Sequence, residues 1–216
     1  MSLTAVVTSH NYARYLRQCL ESAIRYCDEV LVFDDASTDE SVSIVAEYGL
    51  TCVTHHEKSG GPVWGSNRGI ELASCDHLLF LDADNYLVSA PPQDDVDYTF
   101  APIEIVDAGG SWIDRWEYGY WPLTSEACLQ RFRETRQMPY PWGGVWRTEF
   151  IKPLRWSEWP NTQMAADFRT AIDWCTHSPT LAYSPQSFLV FRQHDASWSA
   201  SDERAVMQAD ANALVV

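Results

Sequence analysis

Short apolar runs alternate with amphipathic segments over the first 90 residues of the chain. Apolar character on both faces of a strand is typical of a parallel sheet that is covered by helices on both sides. The pattern therefore predicts an α/β fold with a Rossmann-like, mostly parallel sheet flanked by helices. Four predicted strands lie at residues 3–8, 30–33, 50–54 and 78–81, and three predicted helices at residues 12–26, 41–48 and 62–73.

The second half of the chain follows a different pattern. Residues 97–106 and 111–118 predict a pair of strands joined by the hairpin-type connection Asp107-Ala108-Gly109-Gly110. Further along, the pattern predicts a helix, a late strand and a helical tail, at residues 162–177, 187–191 and 201–216. The chain contains neither an internal repeat nor a low-complexity linker. We therefore expect one domain over residues 1–216 that has two halves, 1–90 and 91–216.

Polar clusters follow three of the predicted strands. In open parallel sheets, ligands bind at the carboxyl ends of the strands. Because those ends meet at one edge of the sheet, the clusters predict a single site there. The clusters are Ser9-His10-Asn11, Asp34-Asp35 and Asp82-Ala83-Asp84.

Composition and charge narrow the range of partners. The chain has 216 residues, with 15 Lys+Arg against 30 Asp+Glu and a formal charge of −15. This charge argues against nucleic acid or anionic lipid as the main partner, because phosphate binding depends on clustered Lys and Arg. The N-terminal residues do not have the pattern of a secretory leader, and no apolar run approaches the roughly 20 residues that span a bilayer. The six cysteines form no CxxC pair. We therefore expect a cytoplasmic protein with free thiols.

The run Asp82-Ala83-Asp84 is the strongest chemical signal in the sequence. Two carboxylates one residue apart, where the chain leaves a buried strand, can both reach one hard cation and the phosphates that it bridges. Mg²⁺ and Mn²⁺ prefer oxygen ligands of this kind. The alternative interpretation of the same run is a solvated acidic turn.

Four motifs in the first 90 residues together resemble the family-2 glycosyltransferases. The resemblance implies a GT-A fold, inverting transfer from a nucleotide-diphosphate sugar, and a Mn²⁺ or Mg²⁺ cofactor. It also implies a nucleotide-sugar-binding half at residues 1–90 and an acceptor-binding half at residues 91–216. The motifs are residues 6–12 (VVTSHNY), 29–41 (EVLVFDDASTDES), 66–70 (SNRGI) and 79–85 (LFLDADN).

The resemblance also implies roles for individual residues in the first half. Asp84 is expected to be the principal metal ligand, with Asp82 on the metal or on the sugar and ribose side. Asp34 and Asp35 have helix capping as their alternative, and Arg68 has a surface cation as its alternative. The expected contacts of the nucleotide sugar are Thr8, Ser9, His10, Asn11, Asp34, Asp35, Asn67, Arg68, Asp82 and Ala83.

A second match to the family lies near the end of the chain, in residues 191–199 (FRQHDASWS). It is similar to the family's aromatic-Arg-x-His segment with trailing serines. The resemblance implies that His194 completes the metal site and that Arg192 or Ser199 contacts the diphosphate. Taken alone, a single histidine such as His194 is more often structural.

An inverting transfer needs a base, because a sugar hydroxyl is a poor nucleophile until a carboxylate accepts its proton. In the family this base sits in a Glu-Asp pair at the start of a helix. Asp167 occupies the matching place here, whereas Ala166 replaces the acidic neighbour. Glu158 and Asp173 are the rival candidates, and a helix-face carboxylate paired with an arginine is the structural alternative.

An aromatic-rich zone lies between the acidic motif and the predicted base. Seven of the ten tryptophans fall between Trp112 and Trp159. The apolar faces of sugar rings stack on aromatic planes, so this composition suits a glycan-binding groove; an aromatic core or an interface is the alternative. The segment Trp142-Gly143-Gly144 is the predicted wall of the acceptor pocket, since glycine allows close backbone approach.

The motifs favour one donor and acceptor class, and three other functions compete with the glycosyltransferase interpretation. A UDP-sugar donor and a glycan or small glycoside acceptor fit the motifs best. A hydroxylated base in phage DNA is a conceivable acceptor that the charge of −15 disfavours. A binding module without turnover is the alternative suggested by Ala166. A nucleotidyltransferase or a dinucleotide oxidoreductase is disfavoured, because Ser9-His10-Asn11-Tyr12 stands where those classes have a glycine-rich loop.

Overall fold

A seven-stranded sheet carries the architecture, in a computed structural model that describes residues 1–57, 61–117, 124–135, 140–156 and 163–195. The strands are β1 (Leu3–Ser9), β2 (Glu29–Asp35), β3 (Cys52–His55), β4 (His77–Asp82), β5 (Tyr86–Leu87), β6 (Tyr98–Phe100), β7 (Ile103–Val106), β8 (Trp112–Trp116), β9 (Gly144–Arg147), β10 (Leu181–Tyr183) and β11 (Leu189–Arg192). The helices are α1 (Ala13–Tyr26), α2 (Ser41–Glu47), α3 (Pro62–Leu72), α4 (Ser125–Thr135), α5 (Thr148–Ile151) and α6 (Gln163–Cys175). The large sheet has the order β10-β6-β9-β4-β1-β2-β3.

The first half of the chain folds as the sequence predicts. Strands β4, β1, β2 and β3 are neighbours and run parallel, and helices α1, α2 and α3 connect them in turn. Residues of β1 alternate between the two apolar clusters of the core. Ala5 and Val7 pack in one cluster, and Val6 packs in the other with Ile70 of α3. Because both faces of β1 are buried, its central residues Ala5, Val6 and Val7 are all apolar.

The predicted strand at residues 97–106 is two strands, and this prediction was wrong. Residues 98–100 form β6 in the large sheet, whereas residues 103–106 form β7 in a second sheet with the order β5-β11-β7-β8. The intervening pair is Ala101 and Pro102. Proline has no N–H to donate to a ladder, so a strand readily ends there.

Strand β9 is a central strand that the sequence analysis did not predict. It runs antiparallel to both of its neighbours, β4 and β6. Gly144 begins this strand, and a Cβ placed there would lie 2.3 Å from Tyr98 Cε2 and 2.5 Å from the Thr99 carbonyl oxygen. The glycine is therefore required by close packing within the sheet.

The remaining elements agree in part with the predictions. The predicted helix at 162–177, strand at 187–191 and strand at 111–118 correspond to α6, β11 and β8. Helices α4 and α5 and strands β5 and β10 were not predicted, and the predicted helix at 201–216 lies outside the described residues. Within the described parts of the chain, none of the helices has both the length and the apolar character needed to cross a membrane.

Candidate functional site

The polar ends of three parallel strands meet at one edge of the large sheet. The register pairs Ser9 of β1 with Asp34 of β2, and Thr8 of β1 with Asp82 of β4. The Thr8 hydroxyl donates to Asp82 Oδ1 over 2.8 Å. The three polar clusters that the sequence predicts to share a site are therefore neighbours in the structure.

The loops after β1 and β2 hold each other in place. The backbone N–H of Asn11 donates to the Ser37 hydroxyl, and Asn11 Oδ1 accepts the N–H of Thr38, both over 2.8 Å. Asp34 accepts the N–H of Ser37 over 2.8 Å and also its hydroxyl. Asp34 thus stabilises the turn after β2. These hydrogen bonds are with Ser37 in this turn and not with the first residues of α2, so they do not match the alternative prediction of a helix cap.

Two further residues of the predicted nucleotide-binding loops face each other across this edge. His10 Nδ1 lies 2.6 Å from the carbonyl oxygen of Asp35. A carboxylate oxygen of Asp35 lies 4.0 Å from His55 Nδ1. Asp35 is buried at the mouth of the loops, so its position suits the predicted contact with a base or ribose.

The acidic turn after β4 brings two carboxylates together. The N–H of Ala83 donates to the carbonyl of Thr8 over 3.0 Å, and the N–H of Asn85 donates to the carbonyl of Asp82 over 2.9 Å. Burial and the nearby charge of Asp84 raise the pKa of Asp82 well above its ordinary value. A cation between the two carboxylates would relieve this repulsion, so the pair is suited to hold one.

His194 lies directly against the acidic turn. Its Nε2 is 3.1 Å from Asp84 Oδ2, and Asp84 is only 6% exposed. The imidazole packs against Tyr12 and Tyr15, with ring centroids 5.9 and 4.8 Å away. Burial and the charge of Asp84 raise the pKa of Tyr12 above its ordinary value, so this phenol remains a neutral donor beside the carboxylate.

The donor set fits a divalent cation that is completed by a substrate. Among the residues that the structure describes, no group of three His, Cys, Asp or Glu side chains could hold a metal ion by itself. Asp82 and Asp84 nevertheless supply two neighbouring carboxylates, and Mg²⁺ is commonly bound by one or two carboxylates together with substrate phosphates. Of the three predicted metal-site residues, Asp82 and Asp84 share the acidic turn, and His194 contacts Asp84.

Arg192 has a position that the sequence analysis did not anticipate. Its side chain is only 4% exposed, and its guanidinium donates to protein oxygens and lies over two tyrosine rings. The acceptors are the carbonyl of Asp84 at 3.1 Å, Gln18 Oε1 at 2.6 Å, and the carbonyls of Asp107 and Ala108 at 3.4 and 3.3 Å. These contacts tie β11 to the acidic turn and to α1. Contact with a diphosphate stays a prediction for Arg192.

The predicted pair on α3 separates into one buried and one surface residue. Asn67 accepts the N–H of Trp156 over 2.8 Å and donates to its carbonyl over 3.3 Å, so both ends of its amide are bonded to the backbone. Arg68 is exposed and forms an ion pair with Glu71. Arg68 therefore has the contacts of a surface cation, which was the alternative to its predicted contact with the nucleotide sugar.

The predicted base lies near the acidic turn, on α6. Asp167 Oδ2 accepts the indole N–H of Trp142 over 3.2 Å. Burial, and next the negative charge of Asp82, raise the pKa of Asp167 to about 8. A carboxyl with a raised pKa beside other acids is typical of functional sites. Of the rivals, Asp173 forms an ion pair with Arg169 at 3.0 Å, and Glu158 lies outside the described residues.

The aromatic zone divides into a core and a cluster beside the base. Trp146 and Trp156 are buried in the core, as is Trp174. Four half-buried rings form what we call the aromatic cluster: Trp116, Tyr140, Trp142 and Phe191. Gly143 and Gly144 follow directly and are buried. Other aromatic residues of the zone lie outside the described residues, namely Tyr118, Tyr120, Trp121 and Trp159. Ser199, for which the resemblance implies a diphosphate contact, also lies outside them.

Sequence reasoning missed Tyr12 and Tyr15 as parts of this site. Both lie at the start of α1, directly after the Asn11 loop, and are three residues apart. Residues at this spacing share one face of a helix. This spacing, together with the position next to a strand end, was the available signal.

Comparison with known proteins agrees with this arrangement. The sequence profile described as "Glycosyl transferase family 2" matches residues 4–89, the segment that contains β1 to β5 and the acidic turn. Residues 4–89 of the chain are therefore similar to glycosyl transferase family 2. A poly(ribitol-phosphate) beta-glucosyltransferase of Bacillus spizizenii is 28% identical over 99 residues, which are 41% of this chain and 16% of that protein.

Solved structures share the fold of this chain. Staphylococcus aureus TarS 1–349 in complex with UDP superposes with a TM-score of 0.69 at 20% identity, over 90% of this chain and 61% of that one. The mannosyltransferase PcManGT of Pyrobaculum calidifontis, in complex with GDP-Man and Mn²⁺, superposes with a TM-score of 0.61 at 18% identity, over 99% and 64%. The predicted GT-A fold is confirmed. The chain spans about a sixth of the first relative and about three fifths of these structures.

Proposed function

We propose that this chain is a metal-dependent inverting glycosyltransferase that moves a sugar from a UDP-sugar to a hydroxyl group of a glycan or small glycoside. One observation carries the proposal: the acidic turn Asp82-Ala83-Asp84 lies beside the polar loops after β1 and β2 and near the carboxyl group of Asp167. A nucleoside, a diphosphate and an acceptor hydroxyl can therefore be placed along one edge of the sheet.

In this proposal the donor lies across the carboxyl ends of β1, β2 and β4. Asp84, with Asp82 and His194 beside it, would hold a Mn²⁺ or Mg²⁺ ion together with the diphosphate. The ion would offset the negative charge that builds on the leaving diphosphate. The loop of Ser9, His10 and Asn11 and the buried Asp35 would contact the base and ribose. UDP in the TarS structure and Mn²⁺ in that of the mannosyltransferase support these assignments.

Asp167 would act as the general base. The acceptor oxygen attacks the anomeric carbon and forms the new glycosidic bond, while the bond from that carbon to the diphosphate oxygen breaks. The hydroxyl proton passes to the Asp167 carboxylate, and the nucleoside diphosphate leaves. Attack from the face opposite the leaving group inverts the anomeric configuration. The raised pKa of Asp167 suits this role, because a base with a pKa near the working pH accepts a proton most effectively.

The aromatic cluster would form one wall of the acceptor site. Tyr140 and Trp142 stack at 5.1 Å and lie next to the base, so a sugar ring could pack beside them. The Bacillus spizizenii relative is named for poly(ribitol-phosphate), a polymer of a sugar alcohol, and this supports an acceptor that offers hydroxyl groups. The acidic charge of −15 continues to disfavour DNA.

The test is UDP release from UDP-sugars in the presence of Mn²⁺, with and without acceptor glycosides. We expect Asp167→Asn to lower turnover by about 100-fold or more, because general base catalysis contributes a factor of this size. Donor affinity should change by less than about twofold, since the donor contacts lie on other elements.

Asp173→Asn is the matched control, because it removes a carboxylate from the same helix that forms an ion pair with Arg169. It should leave turnover within about threefold. Undiminished turnover in Asp167→Asn would show that another group accepts the proton, and loss of turnover in Asp173→Asn alone would assign the role to Asp173.

A further inference from the structure

The indole of Trp142 makes a directed contact with the group proposed as the base. Its N–H donates to Asp167 Oδ2 over 3.2 Å. An indole is a donor only, so the bond fixes which oxygen of Asp167 is occupied and leaves the other for a second partner. A hydrogen bond to a charged carboxylate is also among the stronger kinds in proteins.

The ring of Trp142 is held so that this N–H has a fixed direction. It stacks on Tyr140 at 5.1 Å and 19°, and on Phe191 at 5.6 Å and 28°. It also packs against both apolar clusters of the core, one on each face of the large sheet. A side chain confined from several sides has few rotamers available, so it can orient a partner.

The same ring links the base to the strand that carries the metal-site histidine. Phe191 lies in β11, and the chain continues from it through the buried Arg192 to His194. The guanidinium of Arg192 donates to the carbonyl of Asp84, and His194 contacts the Asp84 carboxylate. A continuous set of packed and hydrogen-bonded groups therefore runs from Asp167 through Trp142 to the acidic turn.

We propose that Trp142 is a positioning residue, whose indole N–H holds the Asp167 carboxylate in the orientation that accepts the acceptor's proton. This inference rests on the proposed function, since it requires Asp167 to be the base. It gives Trp142 a role beyond that of the acceptor-pocket wall that the sequence predicts. The two roles differ in their kinetic signature, because a wall acts through acceptor binding, whereas a positioning residue acts through turnover.

The charges around Asp167 determine the direction of the expected effect. Asp82, at the end of β4, disfavours the ionised form of Asp167, and the Trp142 N–H favours it. On the same helix, the neighbouring charges Arg169 and Asp173 pair with each other. Removal of the indole N–H should therefore raise the pKa of Asp167 further. Since the base works in its ionised form, the acid limb of the activity profile should move to higher pH.

The experiment compares Trp142→Phe with Trp116→Phe by pH profiles of turnover with a UDP-sugar, Mn²⁺ and a saturating acceptor. Both variants exchange an indole for a phenyl ring within the aromatic cluster, and Trp142→Phe alone removes the donor to Asp167. We expect Trp142→Phe to move the acid limb upward by about half to one pH unit and to lower kcat about 5- to 20-fold near pH 7. The acceptor KM should stay within about twofold, and Trp116→Phe should leave the limb in place.

A second comparison separates failure of this inference from failure of the proposed function. In an Asp167→Asn background, Trp142→Phe should lower turnover by no more than about twofold, because two residues that act through one group are not additive. An unmoved limb together with a raised acceptor KM would make Trp142 an acceptor contact and overturn the positioning role. Normal turnover in Asp167→Asn itself would instead overturn the base. Thermal midpoints of all variants identify any loss that comes from unfolding.

Discussion

At the scale of single residues, the site is a concentration of acid at the end of a buried strand. Burial, and next the charge of Asp84, raise the pKa of Asp82; burial, and next the charge of Asp82, raise the pKa of Asp167. Burial acts in this direction because it disfavours the charged form. Such an arrangement costs stability, and it is useful when a cation and a proton are to be bound there.

The first consequence is that the contribution of Asp167 to stability falls as the pH rises. The unfolded carboxyl of Asp167 releases its proton near about pH 3.9, whereas the folded one retains it up to about 8. Between these values the folded state binds more protons, so the free energy of unfolding decreases with pH. Asp167→Asn cannot ionise. We therefore expect it to unfold at the wild-type midpoint near pH 4 and about 2 °C or more above it at pH 8.5.

Thermal unfolding in metal-free buffer at both pH values measures this difference. Asp173→Asn is the control, since its carboxylate is paired with Arg169 and should give no gain that grows with pH. An Asp167→Asn midpoint that rises equally at both values would mean that ionisation of Asp167 is not the cause.

The positions of single residues in the site were predictable where motifs in separate segments resemble the same family. Asp84 and His194 are 110 residues apart, and their contact follows only from the likeness of two separate segments to one family. The internal contacts of Arg192 were not predictable, because its acceptors are mainly backbone carbonyls of distant segments. Carbonyls carry no sequence signal, so a buried arginine of this kind resembles a ligand-binding one in sequence.

At the scale of elements, the strand predictions succeeded where both faces of a strand are buried. Strands β1, β2 and β4 are apolar runs between helices, and the pattern alone placed their ends at a common edge. Strand β9 has four residues and follows Trp142 and Gly143, so its segment has the composition of a loop. Its place between β4 and β6 depends on pairing over more than 40 residues, which local periodicity does not report.

The glycine that begins β9 supports a prediction at this scale. Ala at position 144 would place its Cβ against both the ring of Tyr98 and the backbone of Thr99. Because the backbone cannot give way without breaking the ladder, we expect Gly144→Ala to lower the free energy of unfolding by about 3 kcal/mol. Gly109→Ala, at an exposed turn where the nearest atom to a Cβ is 3.3 Å away on a side chain, should cost less than about 1 kcal/mol.

Urea denaturation of the two variants beside the wild type makes the comparison. Equal stabilities for Gly144→Ala and the wild type would contradict the central position of β9, and with it the position of Trp142 just before that strand. A selective loss in Gly144→Ala would support both.

At the scale of the whole molecule, the two sheets differ in how far the order of their strands along the chain predicts their order in space. The parallel part is made of consecutive strand and helix units, so sequence order predicts spatial order. The small sheet joins β5, β7, β8 and β11, which come from both halves of the chain. Through β11 it brings His194 to the acidic turn, so the proposed donor site is complete only when the C-terminal part has folded onto the first half.

The central claim is that this molecule binds a nucleoside diphosphate through a divalent cation at the acidic turn. Titration calorimetry of UDP with and without Mn²⁺ tests it most directly, using the wild type, Asp84→Asn and Asp95→Asn as an exposed control whose side chain is 89% accessible. We expect Mn²⁺ to tighten UDP binding by about tenfold or more in the wild type and in Asp95→Asn, and to have no such effect in Asp84→Asn. UDP affinity that is the same with and without Mn²⁺ in the wild type, or tightening by Mn²⁺ that survives in Asp84→Asn, would contradict the claim.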